Sequence, residues 1–267
     1  EMCIRDRNVA IWLAAGLFMT STAGMASGPI LPDPKAEARH HPQIEETANG
    51  IPLVNITAPS SGGVSRNEYE MFNVPDKGAI LNNSYTLSKT ELAGYVPGNN
   101  NMAERPAKII VNEVTGTGST SMDGFLEVAG NRADVVIANP NGITVNGGGF
   151  INTGKAFLTT GKPVYDGEDH LQRFDITGGD ILIEGKGLGG KETESLAILS
   201  RAVKINAGIW AEDLHITTGA NTVDAKTLEA SAIEGKGGRP AFALDTAAIG
   251  GMYASADTLV GTEKGLG

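Results

Sequence analysis

The chain holds one cysteine in 267 residues, Cys3, so everything beyond its first few positions is cysteine-free. A disulfide scaffold is thereby excluded. The same absence suits a chain that crosses an oxidising periplasm unfolded, where a disulfide would obstruct passage through a narrow pore. Aromatic residues make up 5%, the formal net charge is −10, and Gly reaches 36 residues. A compact aromatic-rich core is not expected from such a composition; a repetitive all-β body lined by Val, Ile, Leu and Ala is. No cluster of Lys and Arg occurs, which excludes a nucleic-acid surface. No stretch after the first thirty residues is long and apolar enough to span a bilayer. There are four histidines and none sits in a nucleophile motif, so no Ser-His-Asp arrangement is offered. No P-loop is present, and no cofactor is expected.

What is there is a succession of corners. The central stretch, residues 105–163, carries Ala133-Asp134-Val135-Val136-Ile137-Ala138, then Asn139-Pro140-Asn141-Gly142-Ile143, then several apolar runs closed by Asn and Gly. Asn and Gly enter the left-handed region at least cost, so they mark sharp turns. Strands of three to five residues joined by such corners predict a parallel β-helix, a coil that stacks on itself. Pro140 fixes φ, and Asn141-Gly142 close a tight turn. Buried Asn side chains in such turns are expected to bond neighbouring coils and set their register.

Residues 1–26 read as a secretory signal peptide. Arg5 and Arg7 are followed by an apolar run from Val9 to Met19 and by small residues suited to cleavage after Ala26. The chain begins at Glu1, and residues 1–7 read as a replaced natural start. Residues 27–50 hold Pro29, Pro32, Pro34 and Pro42 and predict an extended, mobile lead-in. His40-His41 falls there and reads as a solvated pair, not a metal site. The body then runs over 51–267, with residues 85–101 as an excursion from it, and the pattern stops at Gly267 without a terminal cap.

Three other features have chemical readings. Gly185-Lys186-Gly187-Leu188-Gly189-Gly190 matches G-x-G-x-x-G, and residues 193–202 would supply one or two helical turns after it. No βαβ repeat surrounds the match, so a Gly-rich loop between coils is the better reading. Asp175, Asp180 and Glu184 are the best candidates for a polysaccharide-cleaving carboxylate set on a β-helix. Exposed acids on an outward face explain them without chemistry, and that is the better reading. Gly178-Gly179-Asp180 is a lone fragment of a calcium-binding repeat.

In order, Phe72-Asn73-Val74 with Gly78 and Asn82-Asn83, then Val111-Asn112-Glu113-Val114, then Asn139-Pro140-Asn141-Gly142-Ile143 resemble the two-partner secretion (TPS) domain. So do residues 204–211, 217–221 and 243–263. That domain opens filamentous haemagglutinins, large adhesins and the toxins of contact-dependent growth inhibition, and the resemblance covers about residues 50–267. It implies a right-handed parallel β-helix with an N-terminal cap. It implies a role in secretion recognition: binding to an Omp85-type outer-membrane transporter through periplasmic POTRA domains, after Sec-dependent export directed by the leader. The product would be secreted or displayed on a Gram-negative cell, with host or neighbouring-cell contact made by a C-terminal part not contained here. The secretion motif carried over is Asn139, Pro140, Asn141, Gly142 and Ile143. The family's second hallmark, Asn-Pro-Asn-Leu, is absent; Asn112, Glu113 and Val114 stand in its neighbourhood, which leans the chain toward the adhesin and growth-inhibition branch. No catalytic residue is implied. The runner-up function is a secreted β-helical polysaccharide lyase or hydrolase.

Overall fold

The computed structural model describes residues 28–103, 105–246 and 251–263. The signal-peptide reading of residues 1–26 lies outside them. One turn of the body starts at the strand Thr120–Met122, passes through Phe125–Gly130 and Ala133–Ala138, and returns by residues 139–142 to Ile143–Val145. That strand runs parallel to the first, with Ile143 opposite Thr120. The following turn sets Gly149 opposite Phe125 and Val136 opposite Phe157. Three parallel faces result, the architecture of a β-helix.

The first face stacks Thr120–Met122, Ile143–Val145, Asp180–Ile183, Ala202–Ile205 and Leu244–Thr246. The second carries Pro52–Asn55, Ala79–Asn83, Phe125–Gly130, Gly148–Ile151 and the start of Leu188–Ser200. The third carries Val64–Phe72, Ile109–Val114, Ala133–Ala138, Thr153–Thr159 and the end of Leu188–Ser200. Ile209–Thr218 spans the second and third faces in the same way.

The unbroken apolar runs have a simple cause: third-face strands are covered on both sides. In Ala133–Ala138, Val135 and Ile137 point into the coil, while Val136 and Ala138 point outward into a second core. Phe174, Ile176 and Val223 cover that outer core from a four-stranded antiparallel sheet built on Lys162–Tyr165, Leu171–Ile176, Asn221–Asp224 and Ala230–Ala232. Residues 85–101 are the expected excursion: Ser88–Thr90 and Gly94–Val96 form a hairpin, and Val96 packs on Leu53 and Ile80 of the second face.

Two expectations are corrected here. Residues 28–50 are extended but are bound to the body. Ile30–Pro32 pairs antiparallel with Val64–Phe72, and Gln43–Glu46 pairs antiparallel with Pro52–Asn55. An open first coil would leave its apolar interior and strand edges uncovered; Ile30 and Ile44 close it. Within this cap, His40 lies in the short 3-10 turn Ala38–His40 and is 5% exposed, with Nδ1 3.1 Å from Glu68 Oε1, whereas His41 is exposed. The solvated-pair reading fails for His40 because the cap folds it under the first coil.

Candidate secretion motif and its surroundings

Asn139 ends a third-face strand, and its amide N–H donates to Thr159 O of the next coil at 2.9 Å. Continuing straight would break that stacking, so the chain must turn, and Pro140 has the φ that the second residue of a turn requires. Gly142 N–H closes the turn on Asn139 O at 3.1 Å. Gly142 has φ +112, and a Cβ there would lie 3.0 Å from Asp180 O. Glycine is needed twice over, for the dihedral and for the approach of the next coil.

The Asn139 side chain is fully buried and all its polar capacity is used. Its Nδ2 donates to Gly118 O and to Thr120 Oγ1, both at 3.0 Å, and its Oδ1 accepts from Asn141 N and Asn141 Nδ2, both at 2.9 Å. Asn141 Nδ2 also donates to Gly116 O at 2.9 Å. The corner is thus bonded to the loop beneath it. Above it, Gly179 has φ +79, and a Cβ there would meet Pro140 O at 2.7 Å. Gly178-Gly179-Asp180, the apparent calcium fragment, is the next corner lying on this one. Ile143 leaves the turn into the inner core.

Asn112, Glu113 and Val114 lie one coil earlier, in the middle and end of Ile109–Val114. Asn112 points inward: Nδ2 donates to Val136 O at 3.2 Å and Oδ1 accepts from Tyr69 Oη at 3.0 Å. Asn67, in register with Asn112, donates to Val111 O at 3.3 Å and accepts from Thr57 N at 2.9 Å. Glu113 points outward and is buried beside Arg66, whose Nη2 is 3.3 Å from Glu113 Oε2 and 2.8 Å from Glu68 Oε1. Burial pushes the Glu113 carboxyl above its ordinary range, with Arg66 opposing and Glu68 reinforcing the shift. The two motifs are separate: Asn139 bonds to neighbouring corners, Asn112 inside a strand ladder.

Sequence reasoning did not single out Arg66, Asn67, Tyr69, Asn99 or Asn152. Asn99 donates to Ile56 O and Asn82 O, each at 2.9 Å, and Asn152 adopts φ +54 at a corner. Asn55 and Asn82 are buried, and Asn82 Nδ2 donates to Asn55 Oδ1 at 2.8 Å. Their signal is Asn at the end of an apolar strand.

The carboxylate candidates do not converge. Asp175 belongs to the four-stranded sheet and pairs with Arg173 at 2.8 Å, while Asp180 and Glu184 flank opposite ends of Asp180–Ile183. Among the described residues no group of three or more His, Cys, Asp or Glu side chains is arranged to hold a metal ion. The one or two helical turns open to residues 193–202 are not formed: Leu188–Ser200 is strand, paired on both sides with Thr153–Thr159 and Ile209–Thr218. Stacked neighbours override the local preference of Glu192-Thr193-Glu194-Ser195. Gly185 and Gly187, with φ +57 and +78, form a corner instead of a phosphate loop.

The chain matches the model of the TPS secretion domain over residues 29–267. It is 46% identical over 244 residues to Toxin CdiA of Yersinia pestis, which covers 91% of this chain and 7% of the relative. It is 45% identical over 247 residues to 16S rRNA endonuclease CdiA of Enterobacter cloacae subsp. cloacae, again covering 91% and 7%. The chain therefore spans a small fraction of these relatives' length. Among solved structures, the filamentous haemagglutinin secretion domain superposes with a TM-score of 0.81 at 33% identity, over 90% of this chain and 80% of that one.

Proposed function

The chain belongs to the family of TPS secretion domains, and on that premise we propose how it works. Residues 1–26 direct Sec-dependent export, and the chain remains unfolded in the periplasm. Residues of the first half dock on the POTRA domains of an Omp85-type outer-membrane transporter. Beyond the membrane, coils stack in sequence, and β-helix folding favours onward movement. The larger exoprotein is of the contact-dependent growth inhibition type, reaching a neighbouring or host cell through a C-terminal part outside this chain; any catalytic activity belongs to that part.

The observation that carries the reading is the corner at residues 139–143. Its side chains spend their hydrogen bonds on adjacent coils, which suits a motif that times and registers folding. The polysaccharide lyase reading has neither converging carboxylates among the described residues nor support from the relatives.

The test is secretion of this chain, given a native start, with and without the transporter encoded beside it. Appearance in the medium only with the transporter is expected. Accumulation of a folded, protease-resistant product in the periplasm in both cases would overturn the proposal.

A further inference from the structure

The outer sheet does more than cover the third face. Its first hairpin, Lys162–Tyr165 and Leu171–Ile176 with the turn between them, reaches back to the N-terminal cap. Arg39 Nη1 of the cap lies 2.6 Å from Asp169 Oδ2, a contact across 130 positions of sequence. Ser60 Oγ donates to Asp169 O at 3.4 Å, and the His170 ring lies on Gly62 so closely that a Cβ there would come 1.8 Å from Cδ2. The Tyr165 ring sits under the Arg66 guanidinium, 4.4 Å from its centroid. Arg66 in turn holds Glu68 and Glu113, and Glu68 holds His40. Cap, first coil, second coil and hairpin thus meet in one ionic cluster, largely buried at His40, Arg66, Glu68 and Glu113 and exposed at Arg39.

That cluster is incompletely satisfied. Arg66 Nε and Tyr165 Oη are buried without a protein hydrogen-bond partner, and Glu113 Oε2 has only the 3.3 Å ion contact with Arg66 Nη2. A buried polar atom without a partner carries an uncompensated desolvation cost, which weakens the closed arrangement.

We infer that residues 162–176 form a strap that locks the N-terminal cap, so that the cap, already paired with the first coil, reaches its full stability only when the hairpin from a later coil has folded onto it. Loop closure across more than a hundred residues is entropically costly, and the strap's contacts cannot exist before residues 165–170 are available. Early coils then stay open while the chain is being delivered and close when the body has advanced. The strap rests on the contacts above; only its use during export rests on the secretion reading.

Hydrogen exchange on the purified 267-residue chain tests the strap without any transporter, so its outcome is separable from the secretion experiment. Gly62→Ala, at a position without positive φ, displaces His170, and Asp169→Ala removes one of the two carboxylate partners of Arg39, the one on the hairpin. Both should raise exchange in residues 36–47 and 162–176 together, by about tenfold, with residues 133–145 unchanged. Tyr165→Phe, which deletes a buried unpaired hydroxyl, should slow exchange in the same two segments. In pulse-labelled refolding the cap should gain protection no earlier than the hairpin. Protection of the cap ahead of the hairpin would overturn the strap. So would a cap indifferent to Gly62→Ala and Asp169→Ala, equal loosening of residues 133–145, or faster exchange in Tyr165→Phe.

Discussion

The side-chain amide of Asn139 donates a 3.0 Å hydrogen bond to the hydroxyl of Thr120, which sits in the coil below. One buried donor thereby ties a turn to its neighbour, and the register of two coils depends on it. Asn139→Ala should leave Gly118 O, Thr120 Oγ1 and Asn141 N without that partner. A loss of about 2–3 kcal/mol in urea unfolding is expected, with export reduced in parallel. Asn139→Asp, which keeps the acceptor and loses the donor, should fall between Asn139→Ala and the natural chain.

Gly142→Val should be worse at the same corner than its size suggests. A β-branched residue at φ +112 is strained, and its Cβ meets Asp180 O. A cost of about 2–3 kcal/mol is expected from strain and crowding. Wild-type export with an unchanged β-sheet circular dichroism spectrum would show that the corner's geometry is not required.

Tyr69→Phe isolates one bond of the inner ladder. It keeps the ring tilted against Phe72, centroids 4.8 Å apart, and removes the hydroxyl that bonds Asn112. About 1 kcal/mol should be lost. Burial raises the Tyr69 hydroxyl well above its ordinary value, so the loss should not vary between pH 6 and 9.

His40 predicts an acid weakness of the cap. Burial and the Arg66 guanidinium lower its pKa, while Glu68 opposes the shift; Arg39 and Asp169 also face it, with opposite effects. The fold therefore favours neutral His40. Its stabilising contribution is present above the unfolded value near 6.5 and declines as pH falls toward the lower folded value. Glu113, with its raised pKa, has the opposite sign: its penalty is absent below the ordinary carboxylate value and grows as pH rises through the folded one. Urea midpoints should drop from pH 7.5 to 5.5, and His40→Gln should flatten that drop. An equal drop in the variant would assign the effect elsewhere, with His215, also lowered by burial, the first candidate.

The corner at residues 139–142 was legible because its information is local. Asn139-Pro140-Asn141-Gly142 contains the proline for one turn position and the glycine for the positive φ, and both are used as expected. The partners of Asn139 were not legible, since Gly116, Gly118 and Thr120 are neighbours only after coils stack. His40 was misread for a related reason: a Pro-rich segment has the composition of a tether, and only its pairing with Val64–Phe72 buries it. The helical turns that local propensity allows over 193–202 are overridden by cross-coil pairing.

By itself the sequence determined the periodicity, the corners and the family, because short apolar runs broken by Asn and Gly admit few architectures and because their ordered motifs are specific. Only the tertiary structure decided which coil each corner bonds to, that residues 28–50 close the first coil, and that Arg39, Arg66, Glu113 and Tyr165 share one cluster. Those contacts join positions up to 130 residues apart. Hydrogen bonds and ion pairs at such separations are set by the stacking of whole turns, which no local pattern encodes.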